Sequence, residues 1–228
     1  RSRSGIRERR IAAPNEATSD MGVQAARRAL EDAGLKATDI DLLIVATVTP
    51  DLPMPACACF IQQKLGVPNN SACFDLNAAC SGYVYALDTA CAMLTSGRYR
   101  KALVIGVEKL SGVIDWQDRN TAILFGDGAG AVVIEAVDGP GQLLGWDLGS
   151  DGTAQHLLFA DMGGYLEMDG KEVFRRAVRA MVDSTNRALD QAGVTAADIA
   201  LAVPHQANVR IVDAACQRLG IPVERTAN

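Results

Sequence analysis

Apolar and polar positions fall along this chain in two kinds of block. Continuous apolar runs at Leu42–Thr49 (LLIVATVT) and Ala102–Glu108 (ALVIGVE) show no two-residue alternation, so they predict strands covered on both faces. A shorter strand is expected at Ala72–Leu76. Between the runs lie helical signals. Ser19 or Asp20 can cap a helix that continues to Ala33 and stops at Gly34. The Pro-rich PDLPMPA (Pro50–Ala56) is a loop, and a short helix after it ends at Leu65, before Gly66. Val84, Leu87, Cys91 and Leu94 recur at helical spacing, which predicts a helix burying that stripe and ended by Gly97. Ala122–Val137 reads as a strand or hairpin interrupted by glycines. A helix from Lys171 to Ala192, a strand in ALAVP (Ala200–Pro204) and a helix from Asn208 to Leu219 follow. Buried strands alternating with helices specify an α/β fold with helices on both faces of a sheet.

One pattern occurs twice. Arg28–Leu42 reads RALEDAGLKATDIDL and Arg187–Leu201 reads RALDQAGVTAADIAL, with nine of fifteen positions identical and no gap. Each copy is a helix end, a glycine stop, a turn with an aspartate and the start of an apolar run. Duplication of one α/β half accounts for this, giving halves at 1–150 and 151–228. The second half is shorter, and the expectation is that it is incomplete in this chain.

Composition narrows the function classes. The chain has 228 residues, 49% of them hydrophobic, with a net charge of −5, which argues against a nucleic-acid partner. Arg1, Arg3, Arg7, Arg9 and Arg10 form a local basic cluster, either a solvated segment or a site for a phosphorylated ligand. The six cysteines (57, 59, 73, 80, 91 and 216) show no CxxC pair, so no metal site is expected. Cysteines set in apolar segments suit reduced thiols of the cytoplasm. No run is long enough to span a bilayer and no signal peptide is visible. Because the chain starts at Arg1 rather than Met, a preceding segment is expected.

Two residues suggest chemistry. Cys80 in DLNAACSGYVYAL stands where an apolar run meets the start of a helix, and His205 in VPHQANVRI is one of two histidines. The positive end of a helix dipole favours a thiolate, and a Cys with a distant His suits nucleophilic attack on a carbonyl. Taken alone, such a cysteine is also at home as a small buried hydrophobe, and such a histidine as a paired structural group. FGDGAGA (Phe125–Ala131) lacks the Lys-Ser/Thr of a phosphate loop, so its glycines are expected to serve close packing and a bend.

The segments SRSGIRERRIAAPNE, DLNAACSGYVYAL, DWQDR, FGDGAGA, MDGKEVFRRAV and VPHQANVRI, in this order along nearly the whole chain, resemble β-ketoacyl-acyl-carrier-protein synthase III. These are the condensing enzymes that start bacterial fatty-acid synthesis, within the thiolase superfamily. The resemblance implies a duplicated thiolase-like αβαβα fold, in agreement with the repeat. It implies that Cys80 takes an acyl group from an acyl-coenzyme A as a thioester. His205 would then assist decarboxylation of malonyl-acyl carrier protein, and the enolate would attack the acyl group. A coenzyme A thioester is the substrate, with no separate cofactor.

The same resemblance puts Arg3 and Arg119 at the nucleotide end of coenzyme A, and Gly170, Ala207 and Asn208 along the pantetheine channel. Asn208 could equally bond local backbone. Phe125, Met168 and Met54 match acyl-pocket positions, Met54 on a loop that reaches the partner in a homodimer. Arg210 matches a basic position at the rim that receives the carrier protein, and His156 matches no site. The family's third catalytic residue, an asparagine in a GNTS-type turn beyond HQAN, has no counterpart within the 228 residues, and Asn228 is not it. Neither do its glycine-rich C-terminal turn and its N-terminal tryptophan. The chain is therefore read as a fragment of a longer protein or as catalytically incomplete, and in that form as weakly stable. Two other readings stay open: a related condensing enzyme of a polyketide or alkylquinolone pathway, and a chain that binds coenzyme A or carrier protein without turnover.

Overall fold

The computed structural model describes residues 4–227, so Arg3 and Asn228 lie outside the described residues. The chain divides into two compact units, one formed by residues 10–112 and 126–142, the other by the described residues of 4–9, 113–125 and 143–227.

The first unit is a three-layer α/β sandwich. Its helices are α1 (Thr18–Asp32), α2 (Cys57–Leu65) and α3 (Gly82–Thr95), and its strands β1 (Leu42–Ala46), β2 (Ala72–Leu76), β3 (Lys101–Lys109) and β4 (Asp127–Glu135). The strand order is β2-β1-β3-β4, with β1 parallel to β2 and β3, and β4 antiparallel to β3. Both faces of β1 are covered because successive side chains point opposite ways. Leu43 and Val45 join Val23, Ala26 and Leu30 of α1 and Ile61 of α2, while Leu42, Ile44 and Ala46 join Ala86, Ala90 and Leu94 of α3. That is why its pattern is continuous rather than alternating.

Three local expectations need correcting. Ser19 does not cap α1: the cap position is Ala17, whose N–H donates to Asp20 at 2.9 Å, and Ser19 is buried with its hydroxyl donating to Asp51. Of the expected stripe only Leu94 is fully buried: it shares the buried face of α3 with Gly82, Ala86 and Ala90, while Leu87 and Cys91 are half-buried and Val84 is exposed. The cause is close approach to the sheet: a Cβ on Gly82 would stand 3.2 Å from the Ala46 methyl. Gly128 and Gly130 of FGDGAGA do not serve close packing within the chain either, since a Cβ on either would meet nothing within 4 Å, and β4 pairs in register with β3 along its whole length. Asp127 of that segment fastens the chain instead, accepting from Ala12 N, Ser111 N and the Ser111 hydroxyl at 2.6–2.8 Å.

The second unit holds a hairpin of β5 (Leu158–Ala160) and β6 (Leu166–Met168), then α4 (Gly170–Ala192) and α5 (Val209–Leu219). Asp169 caps α4 by accepting from Lys171 N and Glu172 N. The Arg210 guanidinium of α5 stands 5.7 Å from the Phe174 ring of α4, a cation–π contact. The strand expected in ALAVP is reduced to a single bridge between Ala202 and Thr226. Leu201 and Val203 are exposed beside it, because among the described residues no further strand lies there to build a ladder. No helix of the described residues is long and apolar enough to cross a membrane.

Candidate active site

Cys80 sits in a 3-10 turn, Ala79–Ser81, between the end of β2 and the first residue of α3. The turn is tight enough to drive Ala79 to a φ of +47°, a left-handed conformation that costs a non-glycine residue about 1–2 kcal/mol. Packing on both sides holds it there: Gly82 is buried against Ala46 immediately after the turn, and β2 is paired with β1 immediately before it. The result is an exposed cysteine lifted off the C-terminal end of a parallel strand, the end of an α/β sheet where ligands bind.

The electrostatics differ from the expected thiolate bias of a helix start. Loss of hydration pushes the Cys80 thiol above its ordinary value, the Glu108 charge pushes the same way, and a hydrogen bond from its own backbone pulls back. Exposure and desolvation coexist because one open side suffices for accessible area while protein crowds the others. The neutral thiol is the resting form, so its proton must leave before or during attack. Cys80 is also the exposed member of the six cysteines, all of which are free. Cys57 and Cys73 are pushed up to about 12 and about 11, in both cases mainly by burial.

Glu108, at the end of β3, is an acid that the sequence reading passed over. Its carboxylate accepts from Val48 N at 2.9 Å, from the Thr49 hydroxyl at 2.6 Å and from the Thr47 hydroxyl at 3.4 Å. Burial holds its carboxyl above the usual carboxylate range, and these bonds pull the other way. Asp75, in β2, was passed over as well. It accepts from Cys57 N at 2.6 Å and Ala58 N at 2.8 Å, so it caps the start of α2. A signal existed for both: an acid within or ending an apolar run must find donors. Ala79 left no signal, because alanine announces nothing about its φ. Met54 stands at the tip of the loop between Thr47 and Ala58, 81% exposed.

The other group of expected residues belongs to the second unit. His205 is exposed on the segment between Ala202 and α5, and loss of hydration lowers its affinity for protons, which keeps the ring neutral at neutral pH. Ala207 and Asn208 follow directly, and Asn208 caps α5 by accepting from Arg210 N at 2.9 Å. Its local backbone bond is therefore made, while its amide nitrogen can still donate. Gly170 is the first residue of α4, and a Cβ there would meet the Met168 methyl at 3.5 Å. Met168 and Phe125 are half-buried, and Arg119 is exposed in a turn whose Asp118 accepts from Asn120 N and the Thr121 hydroxyl. His156 is exposed.

Comparison with known proteins places this arrangement. The model of the 3-oxoacyl-[acyl-carrier-protein (ACP)] synthase III family matches residues 74–152, and the model of that family's C-terminal region matches residues 189–228. A β-ketoacyl-[acyl-carrier-protein] synthase III of Geobacillus kaustophilus is 52% identical over 225 residues, covering 99% of this chain and 72% of that protein. The crystal structure of 3-oxoacyl-[acyl-carrier-protein] synthase III from Aquifex aeolicus superposes with a TM-score of 0.95 at 45% identity, over 99% of this chain and 72% of that one. The priming β-ketosynthase of the R1128 polyketide biosynthetic pathway superposes with a TM-score of 0.91 at 42% identity, over all of this chain and 71% of that one. The first family model spans the Cys80 turn and the second spans His205. With thiolase-like folding along nearly its whole length and relatives near half identity, the chain belongs to the 3-oxoacyl-[acyl-carrier-protein] synthase III family, condensing acyltransferases of fatty-acid biosynthesis.

Proposed function

We propose that this chain performs the decarboxylative condensation of an acyl-coenzyme A primer, acetyl or short branched, with malonyl-acyl carrier protein. The observation that carries the proposal is an exposed Cys80 on a strained turn at the C-terminal end of a parallel strand, inside the family match. The Cys80 sulfur attacks the primer carbonyl, and backbone N–H groups of the turn are suited to the oxyanion. The carbon–sulfur bond to coenzyme A breaks, and coenzyme A leaves as the thiol, carrying the proton Cys80 gave up. Malonyl-carrier protein then loses carbon dioxide, and the electron pair stays as an enolate. A neutral His205 keeps one N–H, which donates to the enolate oxygen. The enolate carbon attacks the acyl-Cys80 carbonyl, the carbon–sulfur bond breaks with its electron pair staying on sulfur, 3-oxoacyl-carrier protein departs, and the Cys80 thiolate takes a proton from solvent to return to the thiol.

Within this reading Arg119, Gly170, Ala207 and Asn208 line the coenzyme A path, joined by Arg3. Phe125, Met168 and Met54 border the acyl chain, Met54 from the partner of a homodimer. Arg210 faces the carrier protein. The enzyme works in the cytoplasm, with the coenzyme A thioester as substrate and no metal or separate cofactor. The halves 1–150 and 151–228 are halves by descent rather than by contact. A priming role in a polyketide pathway is the second reading, favoured by the likeness to the R1128 ketosynthase.

Radiolabelled acetyl-coenzyme A tests the proposal. Label should appear on the peptide containing Cys80, disappear in Cys80→Ser, and pass into acetoacetyl-carrier protein when malonyl-carrier protein is added. Label on another cysteine overturns the assignment, and loading without that product supports the second reading.

A further inference from the structure

The loop from Thr47 to Ala56 is fastened at its start, and at the first residues of α2 that follow it, by carboxylates that lie outside it. At its start, Glu108 of β3 takes Val48 N and the Thr49 and Thr47 hydroxyls, and Thr49 in turn accepts from Lys109 N at 2.8 Å. Where α2 follows, Asp75 takes two successive backbone N–H groups, Cys57 and Ala58, with one oxygen each. A third tie comes from within: Asp51 accepts from Ser19 N and the Ser19 hydroxyl, and Lys64 donates to that same hydroxyl. Between these ties Leu52 to Pro55 are exposed, so within its own chain the tip is placed by the ties and not by packing. Asp75 also stands on the strand that runs into the Cys80 turn. One rigid frame therefore sets both the nucleophile and the ends of the loop that carries Met54. A charged acceptor makes stronger bonds than a neutral one, and two bonds to consecutive amides fix direction as well as distance.

We propose that Asp75 and Glu108 are positioning residues for acyl-chain selection, because they fasten the two ends of the loop and so fix where Met54 stands. This rests on the reading of Met54 as an acyl-pocket residue. Neither carboxylate touches the reacting atoms; both act through the loop, and because the Glu108 charge also raises the Cys80 thiol, the readout is the ratio of two primers loaded on the same sulfur, from which that effect cancels.

The test is a competition between acetyl-, butyryl- and hexanoyl-coenzyme A for loading on Cys80, read by mass spectrometry, with amide hydrogen exchange of residues 48–58 measured alongside. Asp75→Ala and Glu108→Ala should raise the hexanoyl-to-acetyl ratio about tenfold, the scale on which a pocket distinguishes added methylenes. Their loop amides should exchange at least about tenfold faster. Glu108→Gln keeps an oxygen for Val48 N and offers an N–H that the Thr49 hydroxyl can accept, so it should restore the ratio to within about twofold of the parent, whereas Asp75→Asn keeps an acceptor for only one of its two amides and should fall between the parent and Asp75→Ala. Thr49→Val removes the shortest bond to Glu108 from the other side and carries the test where an alanine variant fails to fold. Met54→Phe separates the two ideas. If it shifts the ratio while the folded alanine or valine variants do not, the positioning role is overturned and the Met54 reading stands. If Met54→Phe leaves the ratio unchanged, the Met54 reading falls, and the selection role falls with it.

Discussion

The two copies of the internal repeat begin alike and end differently. Both close a helix with a left-handed glycine, Gly34 at φ +66° and Gly193 at φ +67°. Both continue into a short 3-10 turn fixed by an aspartate, Asp39 accepting from Lys36 N and Asp198 from Thr195 N. Then they part. Leu42 enters a strand with a neighbour on each side and is fully buried, whereas Leu201 is 59% exposed beside one bridge. Carried on without a gap, the alignment sets Ala46 opposite His205. Ala46 lies buried under Gly82, and its counterpart is the exposed histidine. A helix end and its turn are local products of sequence, while a strand is made by its neighbours. His205, the proposed enolate donor, stands where the second copy leaves the pattern of the first.

The largest effect should come from that departure. His205→Ala should slow condensation about a hundred- to a thousand-fold, the usual cost of one oxyanion donor, while acyl loading on Cys80 continues. Because burial lowers the affinity of His205 for protons, the neutral donor should persist as pH falls through about 6.5, the ordinary histidine value. Decarboxylation of malonyl-carrier protein should stay flat down to that pH and decline only below it. An acid limb at or above it would contradict the assignment.

A smaller effect separates the two leucines. Leu42→Ala empties a site closed on every side and should cost about 2–5 kcal/mol, whereas Leu201→Ala should change stability by less than about 0.5 kcal/mol. Hydrogen exchange of peptides covering residues 37–46 and 196–203 in the 228-residue chain would measure both. Equal losses would mean that the second copy is buried as deeply as the first.

The smallest effect concerns the turns. The hydroxyl and then the N–H of Thr195 hold Asp198 below the usual carboxylate range. Its contribution is therefore present above the unfolded value of about 3.9, and is lost as pH falls through the lower folded value. Protection of the 195–199 turn, taken as exchange relative to an unstructured peptide at the same pH, should fall only in that acid window, and Asp198→Ala should leave that protection independent of pH there.

These contrasts show what could be read from residues alone. The Leu42 and Ala102 runs yielded β1 and β3 because burial on both faces leaves a continuous apolar pattern. Gly34, Gly66 and Gly193 marked helix ends because few other residues take that φ without strain. The ALAVP strand was misjudged because pairing depends on residues elsewhere in the chain. Helical spacing turns the large apolar residues of α3 inward, which holds at Leu94, whereas close approach to the sheet nearer the start of the helix requires the small ones, Gly82, Ala86 and Ala90. The roles proposed for Cys80 and His205 rest on their flanking motifs. Asp75 and Glu108 were not legible in this way, because their roles lie in the backbone N–H groups they collect, and those N–H groups belong to a distant loop.

The Gly82, Ala86 and Ala90 stripe of α3 works as a spacer of fixed thickness. Because Cys80 leads directly into that helix, the gap between helix and sheet is also the gauge that sets how far the sulfur reaches. A methyl added at Gly82 would press on Ala46 and lever the turn outward. Drift should thus be free at Val84, on the open side of the helix, and nearly frozen along a stripe whose residues have no chemistry of their own.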